Sequence, residues 1–263
     1  MFRERGNPLN SLNDGKFFQR LRMTGPRFCD LLSYVHNDLQ HCTKRNHVLL
    51  ASQELLTGFR FFACGSFQQV IANTIKIYES TVCHTITRVT KALLKLRNEM
   101  IYWPSEEECA TIATELRGSH NFPRVEGIID GPHIRVSRPK EHESAFVNRK
   151  DYHSINVQIC WNGKLMKTDV VAKWPGSRIL KNSSLCEKFK ETLLPRLPNG
   201  VILGDRGYPL LPWLLVPIRD YPAMTAAVGR YNEAHKSTRA IVDRIIGIFK
   251  KRWACLKEPR KML

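Results

Sequence analysis

The spacing of apolar residues changes near residue 123, and this change divides the chain. Before it, apolar residues recur at steps of three and four from Phe17 to Leu39 and from Gln53 to Cys64, which predicts helices with one buried face. After it, short β-type runs alternate with helical segments. We therefore expect an all-α region over residues 1–122 and an α/β region over residues 123–263.

The α/β region shows a definite order of predicted elements. A helix is predicted from Ser184 to Leu194 and another from Ala234 to Lys251, with a Pro-rich stretch from Pro209 to Pro222 between them. The pair Asn162-Gly163 favours a hairpin turn between the second and third strand runs. The four strand runs read VEGIIDGPHIRV, SINVQICW, KLMKTDVVAKW and GVILGD.

A helix-turn-helix pattern is predicted within residues 52–97. Ser66 can cap a short helix that ends at Ile75, a turn follows over residues 76–79, and a longer helix begins at Ser80. An apolar set of Val82, Ile86, Val89 and Leu93 would face inward. The polar side chains able to reach bases or phosphates are Thr81, His84, Thr85, Arg88, Lys91 and Lys95. Helix pairs with short turns also occur in proteins that never touch DNA, so both interpretations stay open.

Charge favours a polyanionic partner. The chain has 41 Lys and Arg against 24 Asp and Glu, which gives a formal net charge of +17. Because the positive charge recurs in discrete stretches, nucleic acid is the leading interpretation, ahead of a merely solubilising surface or an anionic membrane.

The sequence indicates neither secretion nor a zinc or disulfide framework built on cysteines. The start, MFRERGNPLN, lacks the apolar stretch of a signal peptide, and no run of eighteen apolar residues occurs elsewhere. The eight cysteines form no CxxC pair. We expect a soluble intracellular protein with reduced thiols and no membrane association.

Three aspartates form the most informative polar pattern. Asp130 and Asp205 each follow a predicted strand, and Asp243 lies on the last predicted helix. Should that helix pack beside the strands, three carboxylates would converge, as divalent cations require in phosphodiester cleavage. Each aspartate also has a structural interpretation, because the first two can cap turns and Asp243 can pair with Arg239 or Arg244.

From Phe61 to Leu256 the chain resembles the PIF/Harbinger family of DDE transposases and the nucleases derived from them. The stretches that carry the resemblance are FFACGSFQQVIANTIKIYESTV, FPRVEGIIDGPHIRV, FVNRKDYHSINVQICWNGKLM, WPGS, VILGDRGYPL and YNEAHKSTRAIVDRIIGIFKKRW. Their combination and order are specific to that family.

The resemblance implies an RNase H-like α/β core. In that fold the first acid follows the first strand, the second follows the fourth strand and the third lies on a late helix, which assigns catalytic and metal-binding roles to Asp130, Asp205 and Asp243. It further implies Mg²⁺ or Mn²⁺ as cofactor, duplex DNA as substrate, a nuclear location with the cytoplasm as an alternative, and two open partners, a Myb/SANT-like protein and a second copy of the chain.

The sequence departs from the family pattern in three places. Asp243 replaces a glutamate, and a side chain shortened by one methylene can misplace a reacting group. After Ser177 a short segment that usually carries another acid is missing, and the chain stops at Leu263 where relatives continue. These departures keep two non-catalytic alternatives open, a DNA-binding protein with a lapsed active site and a protein-interaction scaffold.

A second polar cluster surrounds the motif NRKDYH. Asn148, Arg149, Lys150 and His153 can meet a DNA backbone, or they can form a solvated loop. His133, three residues after Asp130, can position a phosphate or hydrogen-bond within the sheet.

Overall fold

A computed structural model describes most of the chain. The described residues are 12–41, 48–120, 122–162, 166–172, 184–190, 196–219 and 225–257. None of the helices among them is long and apolar enough to cross a membrane. The WPGS stretch and the segment after Ser177 lie outside the described residues, so the predicted loss of an acid there stays a prediction.

The described chain forms two compact units. One consists of residues 1–100 together with 249–263, and the other of residues 101–248. The predicted boundary at residue 122 differs from this division, because the helix Glu106–His120 packs on the first strand and therefore belongs with the second unit.

The helical unit contains six α-helices and a 3-10 helix in its described part. Asn13 begins the first helix by accepting a hydrogen bond from Lys16 N at 2.9 Å, as expected of an N-cap asparagine. The elements are α1 (Asp14–Leu21), α2 (Gly25–Leu39), α3 (Ala51–Cys64), α4 (Gln68–Ile75), α5 (Glu79–Lys95), α6 (Arg97–Met100) and the 3-10 helix Ala254–Leu256.

Aromatic side chains hold this unit together. Phe28 is fully buried and contacts Phe17 and Phe59 edge to face, at ring-centroid distances of 5.7 and 6.4 Å. Trp253, just before the 3-10 helix, packs on Phe59 at 5.7 Å. Gly65 ends α3 with a φ of 54°, and a Cβ there would lie 2.8 Å from Cys255 N, so the close approach of the two segments requires glycine.

The predicted helix-turn-helix pair is present as α4 and α5, but the inward face of α5 differs from the prediction. Its buried residues are Val82, Thr85, Val89 and Ala92, whereas Ile86 is only partly buried. Thr85 is therefore a core residue with 2% of its surface exposed. The four positions follow helical spacing. Val82 packs with Ile71 and Ala72 of α4, whereas Val89 and Ala92 belong to the core that α2 and α3 form.

The second unit is built on a five-stranded mixed sheet. Its strands are β1 (Val125–Asp130), β4 (Gln158–Trp161), β5 (Lys167–Val171), β6 (Val201–Leu203) and β7 (Leu214–Leu215), in the spatial order β5-β4-β1-β6-β7. β1 pairs antiparallel with β4 and parallel with β6, β4 pairs antiparallel with β5, and β6 pairs parallel with β7. The antiparallel β4–β5 pair agrees with the predicted hairpin between the second and third runs, although residues 163–165 of its turn lie outside the described residues.

Two of the predicted strand runs are interrupted, so the prediction of continuous strands there was wrong. β2 (His133–Arg135) and β3 (Ser154–Asn156) pair antiparallel in a separate two-stranded sheet. Pro132 lacks the N–H that a ladder needs, so β1 and β2 separate at this point. A Cβ on Gly131 would lie 2.7 Å from Asn156 Oδ1, which shows how closely β3 approaches the end of β1.

Helices cover the sheet and fix its loops. The remaining elements are α7 (Glu106–His120), α8 (Glu143–Phe146), α9 (Ser184–Lys190) and α10 (Ala226–Arg252). Glu126 on β1 is fully buried, and its carboxylate accepts from Leu197 N at 2.7 Å and Arg196 N at 3.2 Å. Burial raises the pKa of Glu126 although these two donors oppose the shift.

Candidate active site

Two of the three predicted catalytic aspartates follow neighbouring parallel strands. Asp130 is the last residue of β1, and Asp205 comes two residues after the end of β6. The register pairs Ile128 with Leu203, so both strands end at the same edge of the sheet. Because functional groups at the carboxyl ends of adjacent parallel strands meet at one edge, this topology brings the two carboxylates together.

Asp130 is partly buried and bonded to α10. Its Oδ1 accepts a hydrogen bond from Arg239 Nη2 at 3.1 Å, and the two side chains are 19% and 16% exposed. Burial raises the pKa of Asp130, the Arg239 guanidinium lowers it, and the negative charges of Asp205 and Asp243 raise it further. The charges of the two other predicted aspartates therefore act on Asp130.

A tight turn holds Asp205. Its Oδ1 accepts from Gly207 N at 2.9 Å, and its carbonyl oxygen accepts from Tyr208 N at 3.1 Å. The Tyr208 ring packs against the core of the second unit, and its phenol has a raised pKa because of burial and the charges of Asp130 and Asp205. A protonated phenol thus stands within electrostatic range of both carboxylates.

Asp243 lies on the exposed side of α10, four residues after Arg239. The sequence left open a local pair between Asp243 and Arg239, but Arg239 binds Asp130 instead. Arg239 of α10 therefore contacts the end of β1, and Asp243 lies four residues further along the same helix.

A divalent cation fits these residues in chemistry, although the arrangement is not a closed metal site. Carboxylate oxygens are the ligands that Mg²⁺ and Mn²⁺ prefer, and mutual repulsion of three carboxylates favours a cation between them. In the part of the chain that the structure describes, no three Asp, Glu, His or Cys side chains are grouped closely enough to hold a metal ion. Arg239 supplies the positive charge beside Asp130 instead.

Sequence reasoning missed three residues of α10 that position the site. Tyr231 Oη donates to Val216 O at 2.9 Å, and His235 Nε2 donates to Leu215 O at 3.2 Å. Asn232 bonds the backbone of Ile218 twice, accepting from N at 2.9 Å and donating to O at 3.0 Å. The spacing YNxxH on a helix was the available signal. These bonds fix α10, and with it Asp243, against the segment that follows β7.

The predicted DNA-contacting residues of α5 fall into two groups. His84 and Lys91 are exposed and Thr81 is half-buried, whereas Thr85 is buried. Arg88 donates from Nη1 to Glu54 Oε1 at 2.9 Å, and His41 Nε2 contacts the same oxygen at 2.6 Å. Glu54 is almost fully buried, so Arg88 neutralises an internal carboxylate rather than extending into solvent.

Arg149 and Lys150 are exposed in the loop before β3. Asn148 orders this loop, since its Oδ1 accepts from Lys150 N at 2.8 Å and its Nδ2 donates to Ser154 Oγ at 2.9 Å. His133 Nδ1 lies 2.9 Å from the same hydroxyl. The two basic side chains are available to a ligand, while His133 is hydrogen-bonded inside the two-stranded sheet.

Residues 129–262 match the family described as DDE superfamily endonuclease. The chain belongs to this family. The match covers Asp130, Asp205 and Asp243 together with the intervening strands. It confirms the resemblance to Harbinger-type transposases that the sequence motifs indicated.

Curated proteins that are similar to this chain extend the comparison. The protein named "Putative nuclease HARBI1" from Mus musculus is 30% identical over 231 residues, which is 86% of this chain and 65% of the relative. Its Homo sapiens counterpart is 28% identical over 233 residues with the same coverage. "Protein ALP1-like" from Arabidopsis thaliana is 25% identical over 254 residues, 90% of this chain and 62% of the relative.

The chain therefore spans less than two thirds of the length of these relatives. No solved structure matches it with significance.

Proposed function

We propose that this DDE superfamily endonuclease is a divalent-metal-dependent enzyme that hydrolyses phosphodiester bonds of duplex DNA. The observation that carries the proposal is that Asp130 and Asp205 follow neighbouring parallel strands that end at one edge of the sheet. Arg239, four residues before Asp243 on α10, binds Asp130. The negative charges of Asp205 and Asp243 also raise the pKa of Asp130. The family, the relatives named as nucleases and the net charge of +17 support DNA as the substrate.

We further propose that the second unit is an RNase H-like core. When the five strands of the main sheet are counted in chain order, Asp130 ends the first strand and Asp205 follows the fourth. Asp243 lies on the helix that comes after the last strand. This placement agrees with the order that the Harbinger resemblance implies for catalytic acids.

Asp130, Asp205 and Asp243 would hold the cation, Mg²⁺ or Mn²⁺. A divalent cation supplies Lewis-acid stabilisation of the charge that develops on phosphate oxygens. The protein's own part is to fix the acids: Gly207 N orients Asp205, and Arg239 binds Asp130 and lowers its pKa against the larger rise that burial causes.

Each unit has exposed basic and polar side chains that would contact DNA. We propose Thr81, His84 and Lys91 on α5 as one contact region and Arg149 and Lys150 before β3 as another. A nuclear location is part of this proposal because the substrate is there. A fluorescent fusion that is excluded from nuclei would contradict that part.

The alternative is a DNA-binding protein of the same family whose active site has lapsed. Two observations favour it: Arg239 occupies the carboxylate of Asp130, and Asp243 is shorter than the family's glutamate. Under this alternative the charge and the α5 surface still bind DNA, but Asp205 and Asp243 are not needed.

Nicking of supercoiled plasmid in Mg²⁺ or Mn²⁺ tests the proposal. We expect nicking by the parent that EDTA abolishes and that Asp130→Asn and Asp205→Asn each remove. Asp30→Asn, an exposed position on α2, is the matched control and retains nicking. Nicking that persists in both aspartate variants would indicate a contaminating nuclease and refute the assignment.

A further inference from the structure

A pocket of about 510 Å³ lies beside Asp205 in the second unit. It is formed by the segment that follows Asp205, by the residues after β7 and by the first turns of α10. Six of its lining residues carry the argument: Arg206, Tyr208, Leu210, Ile218, Arg219 and Tyr231. Its volume is within the range of roughly 300–1,000 Å³ that is typical of sites for small organic groups.

The pocket is adjacent to the acidic edge. Arg206 and Tyr208 flank Gly207, whose N–H binds Asp205 Oδ1, and the backbone N of Tyr208 donates to Asp205 O at 3.1 Å. Tyr208 therefore forms a wall of the pocket and is also coupled electrostatically to Asp130 and Asp205.

The far wall is held in place by hydrogen bonds. Tyr231, which lines the pocket, donates to Val216 O, and Asn232 bonds both backbone groups of Ile218. Because these bonds fix the wall before any ligand arrives, little ordering is required on binding.

The chemistry of the lining is aromatic and aliphatic with two guanidinium groups. Leu210 and Ile218 are 68% and 39% exposed, so their apolar side chains are accessible to a ligand in the pocket. Arg206 and Arg219 are also exposed. Flat aromatic and apolar walls accept a base, and arginines accept the phosphates on either side of it.

We propose that this pocket receives a nucleobase unstacked from the DNA strand that lies at the Asp130–Asp205 edge. The inference rests on the proposed function, since it takes its occupant from the same substrate. A base in the pocket would fix the position of the DNA strand relative to Asp130 and Asp205. Leu210, Ile218 and the two tyrosines are therefore positioning residues.

Photo-cross-linking without cleavage tests the proposal. The probe is a duplex with a single-stranded 3′ overhang that contains 5-iododeoxyuridine, and EDTA keeps the DNA intact. We expect cross-linked peptides that contain Tyr208 or Tyr231. We also expect Leu210→Asp to weaken affinity for the overhang duplex about tenfold, measured by fluorescence anisotropy.

Met100→Asp is the matched control, because it adds the same charge at a position that is 55% exposed and belongs to the other unit. It should weaken affinity by less than about twofold. Cross-links at other residues, together with equal effects of the two variants on affinity, would overturn the pocket proposal and leave the nuclease proposal intact. That result would favour an apolar side chain of a protein as the occupant of the pocket. Absence of DNA binding by the parent would overturn both.

Discussion

Arg239 donates from Nη2 to Oδ1 of Asp130 at 3.1 Å, across 109 positions of sequence. The bond joins the helix that carries Asp243 to the strand that carries the first predicted acid. Arg239 thus has two effects: it lowers the pKa of Asp130, which burial raises, and it places a positive charge beside a carboxylate that would bind a metal ion.

Arg239→Gln should strengthen binding of Mn²⁺ in the absence of DNA. Removing the guanidinium frees Asp130 Oδ1 and removes a charge that repels the cation, so we expect a roughly tenfold gain, about 1.4 kcal/mol. Isothermal titration calorimetry measures it. Arg244→Gln, an exposed change on the same helix, should have little effect. Weaker binding by Arg239→Gln would show that the arginine orders the site instead of competing with the cation.

Asp243→Glu should increase the nicking rate, by as much as on the order of 100-fold. The additional methylene restores the reach of the family's usual side chain, and a displacement of about 1 Å can cost that factor. Single-turnover nicking with Mg²⁺ measures the rate, with Asp30→Glu as control. A slower Asp243→Glu variant would mean that the site is adapted to aspartate.

Arg88→Ala should destabilise the helical unit by about 2–3 kcal/mol. The change removes one of the two cationic or polar groups that contact Glu54 Oε1, so a carboxylate that is 3% exposed loses much of its favourable electrostatic interaction. Because Arg88 itself is 31% exposed, solvent screening reduces the expected loss of stability. Urea unfolding measures the free energy. His84→Ala, on the exposed face, should change stability by less than about 0.5 kcal/mol. If Arg88→Ala left the free energy of unfolding unchanged but weakened DNA binding, Arg88 would be a DNA-contacting residue, as the sequence predicted.

Acidification should destabilise the protein through His235. Burial lowers the pKa of this fully buried histidine, and the nearby Arg239 charge also lowers it, although the bond to Leu215 O opposes the shift. The unfolded chain therefore binds a proton first, and stability is lost as pH falls below about 6.5. Urea unfolding at pH 7.5 and 5.5 should show a smaller pH effect in His235→Gln than in the parent. An equal effect in both proteins would exclude His235 as the origin.

DNA affinity should fall steeply with salt concentration. Neutralising several phosphates releases counterions, so the logarithm of the binding constant should decrease linearly with the logarithm of salt. Arg149→Gln together with Lys150→Gln should reduce the slope by about 1 to 2 if both side chains contact phosphates. An affinity that does not depend on salt would contradict the electrostatic interpretation.

The periodicity of the sequence predicted where helices and strands lie, but it did not always predict which face of a helix is buried. The helices α4 and α5 and the acids at the ends of β1 and β6 agree with the pattern, because strand ends and helix spacing are local properties. The inward face of α5 was misplaced by about one position, since Thr85 contributes to the core where an apolar residue was expected.

Contacts between residues far apart in the chain could not be predicted from the local sequence pattern. Nothing in the local pattern indicates that Arg239 meets Asp130, or that Asn232 binds the backbone of Ile218. Similarly, β7 lies in a stretch whose prolines predicted only loop, and its two residues are stabilised by pairing with β6. Such contacts depend on how the sheet and α10 pack together.

Iron-directed cleavage of the protein itself tests the central claim most directly. Fe²⁺ in place of Mg²⁺, with ascorbate and oxygen, generates radicals that cut the backbone next to the bound ion, and mass spectrometry locates the cuts. Our account predicts cuts near Asp130, Asp205 and Asp243 that disappear in Asp205→Asn and are suppressed by excess Mg²⁺. Cuts confined to other parts of the chain, or none at all, would contradict a metal site formed by these three aspartates.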